Sequence, residues 1–307
     1  MSVQLPAGMR SETVDLGGPT HYFDYGGNEA GPVLVGVHGL GGAAWNWAAV
    51  APLLTPHVRL VAPDLAGHGR TPAAGRPTTV RANRRLLDRF IREVVGEPVV
   101  LMGNSMGGAI SLLEAAREPD IVRGVVLVDP AMPRPLLSPV DPTVALRFAV
   151  ASIPGLGEAA LSRRRSRMTA EQQVHETLAL CCVDRDRIPP DVVRLGIALA
   201  EERWGEEFAA KDLLSAARSL MRLLSRSRRF TLMTQRISAP VLLVHGAKDR
   251  LVSVRVARRV ADANPGWRVR IADDVGHVPQ LEVPDWTAGV VLEWLRDEAL
   301  VAPEHAA

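Results

Sequence analysis

Ser105 lies at the centre of Gly103-Asn104-Ser105-Met106-Gly107, a G-x-S-x-G spacing that can present a serine hydroxyl as a nucleophile. The spacing alone says little, because a glycine-flanked serine can also be an ordinary helix cap. Its neighbours supply the context. The apolar run VVLMG ends at Gly103, and a helical pattern, MGGAISLLEAA, begins at Met106. A strand that turns at once into a helix leaves the serine exposed at the tip, and small residues on either side let the backbone pass close. The helix would also direct its unpaired N–H groups and the positive end of its dipole at the hydroxyl. Such surroundings favour the anion that forms when a serine attacks a carbonyl.

Acyl transfer needs two N–H donors aimed at that anion. The amide of Met106 is one candidate. The other is Leu40, in the loop His38-Gly39-Leu40-Gly41-Gly42 that follows the run PVLVGV. His38, Gly39, Asn104 and Trp45 are the candidate pocket residues beside these donors. His38 suits holding the loop by hydrogen bonds better than proton chemistry. Trp45 and Trp47 open an amphipathic stretch, where a core role is the commoner one and a pocket lining is the alternative.

The nucleophile needs a base, and the chain offers eight histidines. His21, His57 and His305 fall in an early strand, a helix-to-strand turn and the tail. His68 sits in the glycine-flanked loop DLAGHGRT, His175 in a helical stretch, and His245 at the end of the run PVLLVH. His277, in DDVGHVPQLEVP, lies on a loop between the last strand and the last helix. That loop belongs to the edge of the sheet that carries Ser105, so His277 is the candidate base. The acid that orients it is expected at Asp249, one βα unit earlier, in the order Ser–Asp–His. Asp129, which ends the run VVLVD, is the rival. Asp273 and Asp274 stand too close to His277 in the chain, and Asp64 suits bracing the DLAGHG loop.

These residues require a frame that brings distant segments to one edge. Apolar runs at 20–25, 32–38, 58–63, 99–103, 125–129, 240–245 and 267–271 read as strands. Most are apolar on both faces, as in a covered parallel sheet. Helical patterns at 44–54, 79–95, 106–117, 254–263 and 286–298 alternate with them. The alternation breaks after Asp129. Pro130, Pro133, Pro135, Pro139 and Pro142 punctuate the chain, and 144–236 reads as helical throughout. The expected division is a core of residues 1–132 and 237–307, with a helical insertion at 133–236. The insertion follows the carboxyl end of a strand, the edge where open α/β sheets bind ligands, so it is expected to form a cap. Trp204 and Phe208 would share one of its helix faces, and Arg163-Arg164-Arg165 reads as a solvated one.

Bulk composition excludes several classes. With 47% hydrophobic and 23% charged residues, the 307-residue chain can bury a large core and is not a disordered one. A net charge of +2 gives no basic surface for nucleic acid. Lys211 and Lys248 are the only lysines, so arginine sets the high isoelectric point. Cys181 and Cys182 are chain neighbours, a poor disulfide pair and no metal framework. No signal-peptide run opens the sequence and no uncharged apolar run is long enough to span a bilayer. A cytoplasmic protein with no membrane partner, no cofactor and no metal is expected, as a monomer or homodimer acting on a small molecule.

HGLGG, DLAGHGRT, GNSMGG, GAKDRLV and GHVPQLEVP together resemble the α/β-hydrolase fold family, in family order and over nearly the whole chain outside the insertion. The resemblance implies a mostly parallel sheet of about eight strands, helices on both faces, an inserted helical cap and a Ser–Asp–His triad at Ser105, Asp249 and His277. It implies an ester-type substrate cleaved through an acyl-enzyme. Serine at 105 differs from the aspartate of the epoxide hydrolase and haloalkane dehalogenase branches. GNSMGG also resembles the elbow of carbon–carbon bond hydrolases acting on vinylogous diketones, where an asparagine precedes the nucleophile. The loop HGLGG and Val278 depart from that branch, which leaves it second. A small-molecule receptor or carrier on the same fold is the alternative of another class.

Overall fold

The computed structural model describes residues 5, 8–134, 141–202, 204 and 209–301. Its eight strands are β1 (Arg10–Asp15), β2 (Pro19–Gly27), β3 (Val33–Val37), β4 (Arg59–Pro63), β5 (Val99–Asn104), β6 (Val122–Val128), β7 (Val241–Gly246) and β8 (Arg268–Ala272). They form one sheet in the order β1-β2-β4-β3-β5-β6-β7-β8. β2 pairs antiparallel with β1 and β4, and the pairs from β4 to β8 are parallel.

The helices are α1 (Ala51–Leu54), α2 (Val80–Phe90), α3 (Met106–Arg117), α4 (Pro142–Ser152), α5 (Leu156–Arg165), α6 (Ala170–Cys181), α7 (Pro190–Glu202), α8 (Ala209–Leu224), α9 (Ser227–Thr234), α10 (Val254–Asp262), α11 (Pro279–Glu282) and α12 (Pro284–Asp297). α4 to α9 fall between β6 and β7, within the stretch read as an insertion.

Alternation along the strands divides the core in two. Leu34, Val100, Met102, Val126, Val128, Leu242 and Val244 pack on one face, with Trp47 and Trp294. Val35, Val37, Leu101, Val125, Leu127 and Leu243 pack on the other, with residues of α2, α3 and α10. Period-two strands with apolar residues at both parities can be buried only between two helical layers. Burying each such side chain contributes about 1.5–3 kcal/mol, so a shift of register is strongly disfavoured.

Three elements differ from the sequence reading. β1 was not expected: RSETVD is nearly all exposed and pairs on one side only, at the sheet edge, so its apolar signal is weak. The helix expected at 44–54 is a 3₁₀ turn, Ala44–Trp47, followed by α1. The helix expected at 79–95 keeps α geometry to Phe90 and then widens over Ile91–Val95 before Gly96, at φ 78°, ends it. α2 itself follows its periodicity. Val80, Asn83, Leu87 and Phe90 are buried at helical spacing, and the Thr79 hydroxyl caps the first turn by accepting from the Ala82 amide. Phe208, His305, Pro135 and Pro139 lie outside the described residues.

α3, which begins beside Ser105, carries a fully buried carboxyl at Glu114. Arg84 donates to its Oε2 at 3.0 Å. Burial outweighs that attraction and raises the Glu114 pKa to about 8 from 4.5. The folded chain therefore holds a proton that the unfolded chain releases near 4.5. The resulting stability is full below 4.5 and lost as pH rises through about 8. Glu114→Gln keeps the neutral form at every pH. Its melting temperature is expected to gain on that of the wild type between pH 5 and about pH 8 and to hold that lead above, as read by circular dichroism.

Candidate active site

Ser105 sits between β5 and α3 at φ 52° and ψ −115°. A non-glycine residue is strained there, and the surroundings must hold it. They do so through the main chain: the Ser105 amide donates to Val128 O at 3.1 Å, and its carbonyl accepts from Ala131 at 2.8 Å. The flanking glycines are sterically required. A Cβ on Gly107 would lie 2.0 Å from Val37 O, and one on Gly103 would lie 2.6 Å from Gly107 O. Met106 is buried as the first residue of α3, where amides lack partners in the helix ladder.

The HGLGG loop reaches this turn. A Cβ on Gly39 would lie 3.1 Å from both the Ser105 Cβ and Asn104 Oδ1. His38 is fully buried, and both ring nitrogens are engaged. Nε2 accepts from the Leu65 amide at 3.0 Å, so Nδ1 carries the proton and donates to Gly39 O at 2.8 Å. Burial keeps this ring neutral by lowering its pKa. His38 is thus tied into the loop, with no ring nitrogen left to meet a substrate. Trp47 is core, while the half-buried Trp45 packs on α7, its ring 2.8 Å from where a Gly196 Cβ would stand.

On the next loops, His277 Nδ1 donates to Asp249 Oδ2 at 2.7 Å. That hydrogen bond fixes the tautomer and leaves Nε2 as the acceptor. Asp249 Oδ1 accepts from the amides of Leu251 at 2.7 Å and Val252 at 3.0 Å. Burial by itself would raise the Asp249 carboxyl. The attraction and hydrogen bond of His277, with smaller help from His245 and Val252, hold it below its ordinary value. Asp129 stands beside it without touching His277. Burial and the Asp249 charge push Asp129 well above the ordinary carboxylate range, although the Gly246 amide donates to its Oδ1 at 3.0 Å. His245 completes this cluster. Its Nε2 donates to Val252 O at 2.9 Å and lies 3.5 Å from Asp129 and 3.6 Å from Asp249. Ligand atoms of Asp129, His245 and Asp249 lie within 4.8 Å of one another, the one such group among the described residues. His245 Nε2 and Asp249 Oδ2 already have protein hydrogen bonds, so the trio forms an electrostatic support for His277 and not an open ligand set.

Asn104 joins the two halves. Its Nδ2 donates to Val128 O at 3.0 Å and to His277 O at 3.1 Å. The residue preceding Ser105 therefore grips the main chain of His277. The insertion grips it from the other side, where the His277 amide donates to Cys181 O at 2.5 Å. The carboxylate of Glu282, fully buried, accepts from Val183 and Asp184 at 3.0 Å and from Gly276 at 2.9 Å. Glu282 was not foreseen. Its signal was a carboxylate among apolar residues in LEVP, close behind the histidine. Cys181 and Cys182 are free thiols. Burial, with Asp249 and Asp129 adding to it, pushes the Cys181 thiol up to about 12, so it is no thiolate nucleophile.

A second row of the same residue types occurs at the opposite side of the sheet. Ser11 Oγ lies 2.9 Å from His21 Nε2, and His21 Nδ1 lies 2.7 Å from Asp64 Oδ2. Asp64 also accepts from the amides of Ala44 and Arg70, both at 2.7 Å, and so braces the loops at 38–44 and 64–70. Ser11 lies on the exposed edge strand β1, with ordinary strand backbone and no helix start behind it.

The family model described as the alpha/beta hydrolase fold matches residues 32–284. The chain belongs to the α/β-hydrolase fold family, and it is a hydrolase by that membership and by its lipase and esterase relatives. It is 39% identical over 112 residues to lipase LipV of Mycobacterium tuberculosis, a match that covers 36% of this chain and only 42% of that relative. It is 29% identical to a pimeloyl-[acyl-carrier protein] methyl ester esterase of Aromatoleum aromaticum, over 86% of this chain and 98% of the relative. A putative ancestral haloalkane dehalogenase superposes with a TM-score of 0.80 at 22% identity, covering 94% of this chain and 99% of that one. That likeness is one of fold alone, so the reaction must be argued from the site.

Gly107→Ala tests the geometry of the turn. With a carbonyl 2.0 Å from the new methyl, either β3 or α3 must move. The expected loss of stability is about 2 kcal/mol or more, read from the denaturant midpoint.

Proposed function

We propose that the protein hydrolyses an ester-type bond in a small-molecule substrate through an acyl-enzyme on Ser105. The observation that carries this reading is the 2.7 Å bond from His277 Nδ1 to Asp249, on a loop that Asn104 fastens to the nucleophile turn. It leaves His277 Nε2 as the acceptor, on a residue whose main chain is tied to the nucleophile turn.

His277 Nε2 takes the proton from Ser105 Oγ as the oxygen attacks the substrate carbonyl. The amides of Leu40 and Met106 receive the oxyanion. Asp249 stays ionised and stabilises the imidazolium without taking its proton. His277 then gives that proton to the departing alkoxide, and an acyl-serine remains. A water molecule repeats the sequence with His277 as base, which frees the acid and restores Ser105. The helices between β6 and β7 act as a cap, placing apolar residues over the site and limiting the access of bulk water. Leu213 of α8 is already beside Gly41 of the oxyanion loop.

The relatives named as a lipase and a methyl ester esterase support an ester over other acyl substrates. The carbon–carbon alternative rested on Asn104, and this structure commits its Nδ2 to Val128 O and His277 O. The ester reading is the first conclusion, and carbon–carbon bond hydrolysis stays second to it.

A fluorophosphonate is expected to add once per chain, on the peptide that contains Ser105, and Ser105→Ala should abolish both the adduct and turnover of a chromogenic ester. An adduct on Ser11 that survives Ser105→Ala would move the chemistry to the other serine row and defeat the proposal. Within the proposed site, Asp249→Asn should lower kcat by about 10⁴-fold by disfavouring the required tautomer, while Asp129→Asn, at a carboxyl that has no hydrogen bond to His277 and whose pKa burial raises, should keep most of the activity. The reverse ranking would identify Asp129 as the working acid.

A further inference from the structure

The hairpin of α4 and α5 exposes apolar side chains that the proposed reaction does not use. Leu146, Ile153 and Leu156 are 65%, 51% and 50% exposed. Exposed Ala149 follows Leu146 at helical spacing on α4, Ile153 lies just past the end of that helix, and exposed Ala159 and Ala160 continue the stripe from Leu156. The two helices bend by 118° at the intervening turn, and together they are long and apolar enough to pass for a broken membrane span. Among the described residues no single helix is.

The elbow between them has its polar groups satisfied from behind. Arg218 of α8 donates to Ala151 O at 2.9 Å and to Ile153 O at 3.3 Å. The same guanidinium grips both oxygens of Glu158, at 2.8 Å and 3.0 Å. Glu158 in turn accepts from the Gly155 amide at 2.8 Å, and Ser152 Oγ donates to Phe148 O at 2.7 Å. These inward bonds leave the apolar side chains as the outer surface of the turn. A segment that enters the edge of a bilayer needs this arrangement, because a polar main-chain group left without a partner is costly there.

Charge favours the same occupant. Residues 142–168 hold Arg147, Arg163, Arg164, Arg165 and Arg167 against a single acid, Glu158, which Arg218 already neutralises. Arg164 pairs with Glu176, and Arg165 lies over Trp204. Arg163 is exposed and follows Leu156 and Ala160 along one face of α5, and exposed Arg167 lies just past the end of that helix. Apolar residues next to exposed arginines match the boundary between acyl chains and anionic headgroups. A second copy docking through the same patch would oppose these arginines to their own counterparts.

We propose that the α4–α5 hairpin is a docking surface for anionic lipid bilayers, with Ile153 and Leu156 entering the acyl boundary and Arg163 and Arg167 lying against the headgroups. This departs from the sequence expectation of no membrane partner, which treated the arginines only as a solvated face. The same helix that braces the elbow, α8, carries Leu213 beside the oxyanion loop, so a docked chain would hold the proposed site near a membrane-borne substrate. The docking claim does not depend on the chemistry proposed for Ser105.

Co-sedimentation of the full chain with vesicles of phosphatidylcholine, with and without phosphatidylglycerol, tests it. The wild type should pellet with the anionic vesicles and bind the zwitterionic ones more weakly. Ile153→Asp with Leu156→Asp should weaken partitioning about tenfold or more. Arg163→Gln with Arg167→Gln should remove the preference for phosphatidylglycerol. Unchanged thermal unfolding shows that the variants fold, and this control holds even if no ester is turned over. The proposal is overturned if the wild type pellets with neither vesicle, if the aspartate pair binds as well as the wild type, or if sedimentation velocity shows the hairpin buried in a dimer that ignores lipid.

Discussion

The peptide unit of His277 is held from two directions, and the candidate site depends on that grip. Its carbonyl accepts from the Asn104 side chain, next to the nucleophile turn, and its amide donates to Cys181 at the end of α6. Three distant segments of chain therefore meet at one residue. A histidine on a surface loop would lose its aim to thermal motion. Here two main-chain hydrogen bonds and the side-chain bond to Asp249 leave the ring little freedom. Glu282 reinforces the clamp by accepting amides from the insertion and from Gly276. The helices between β6 and β7 are therefore structural partners of the histidine loop.

The second constraint is electrostatic. Two carboxyls and a histidine crowd the buried space behind His277, where two negative charges side by side would be costly. Burial and the Asp249 charge push the Asp129 carboxyl well above its ordinary range, whereas His277 and two amides favour the Asp249 charge and hold that carboxyl below its own. His245, kept neutral by burial, occupies the remaining space with a main-chain hydrogen bond. The Asp249 carboxylate thus stands against the imidazole, the arrangement that the proposed turnover needs to stabilise an imidazolium.

Much of this was legible in the sequence because it rests on local signals. G-x-S-x-G between a valine-rich run and a helix located the turn, and its glycines are those that the steric contacts demand. The strands β3 to β7 could be read because residues buried on both sides of a sheet leave no polar parity. β1 could not, since an exposed edge strand carries little apolar signal. Loop order favours Asp249 over Asp129, and the 2.7 Å bond to His277 supplies the contact that loop order cannot give. The Asn104 bracket and the Glu282 clamp were not legible, because each is a contact between segments nearly one hundred or more residues apart. The amphipathic stretch at 44–54 misled because helical periodicity cannot distinguish one helix from two short turns that bury the same residues.

The claim that Asp249 directs the His277 ring is tested most directly by NMR of protein labelled with ¹⁵N-histidine. The account predicts a strongly deshielded exchangeable proton on His277 Nδ1 that disappears in Asp249→Asn and persists in Asp129→Asn. A His277 proton that is indifferent to Asp249, or that is lost only when residue 129 is changed, would contradict it.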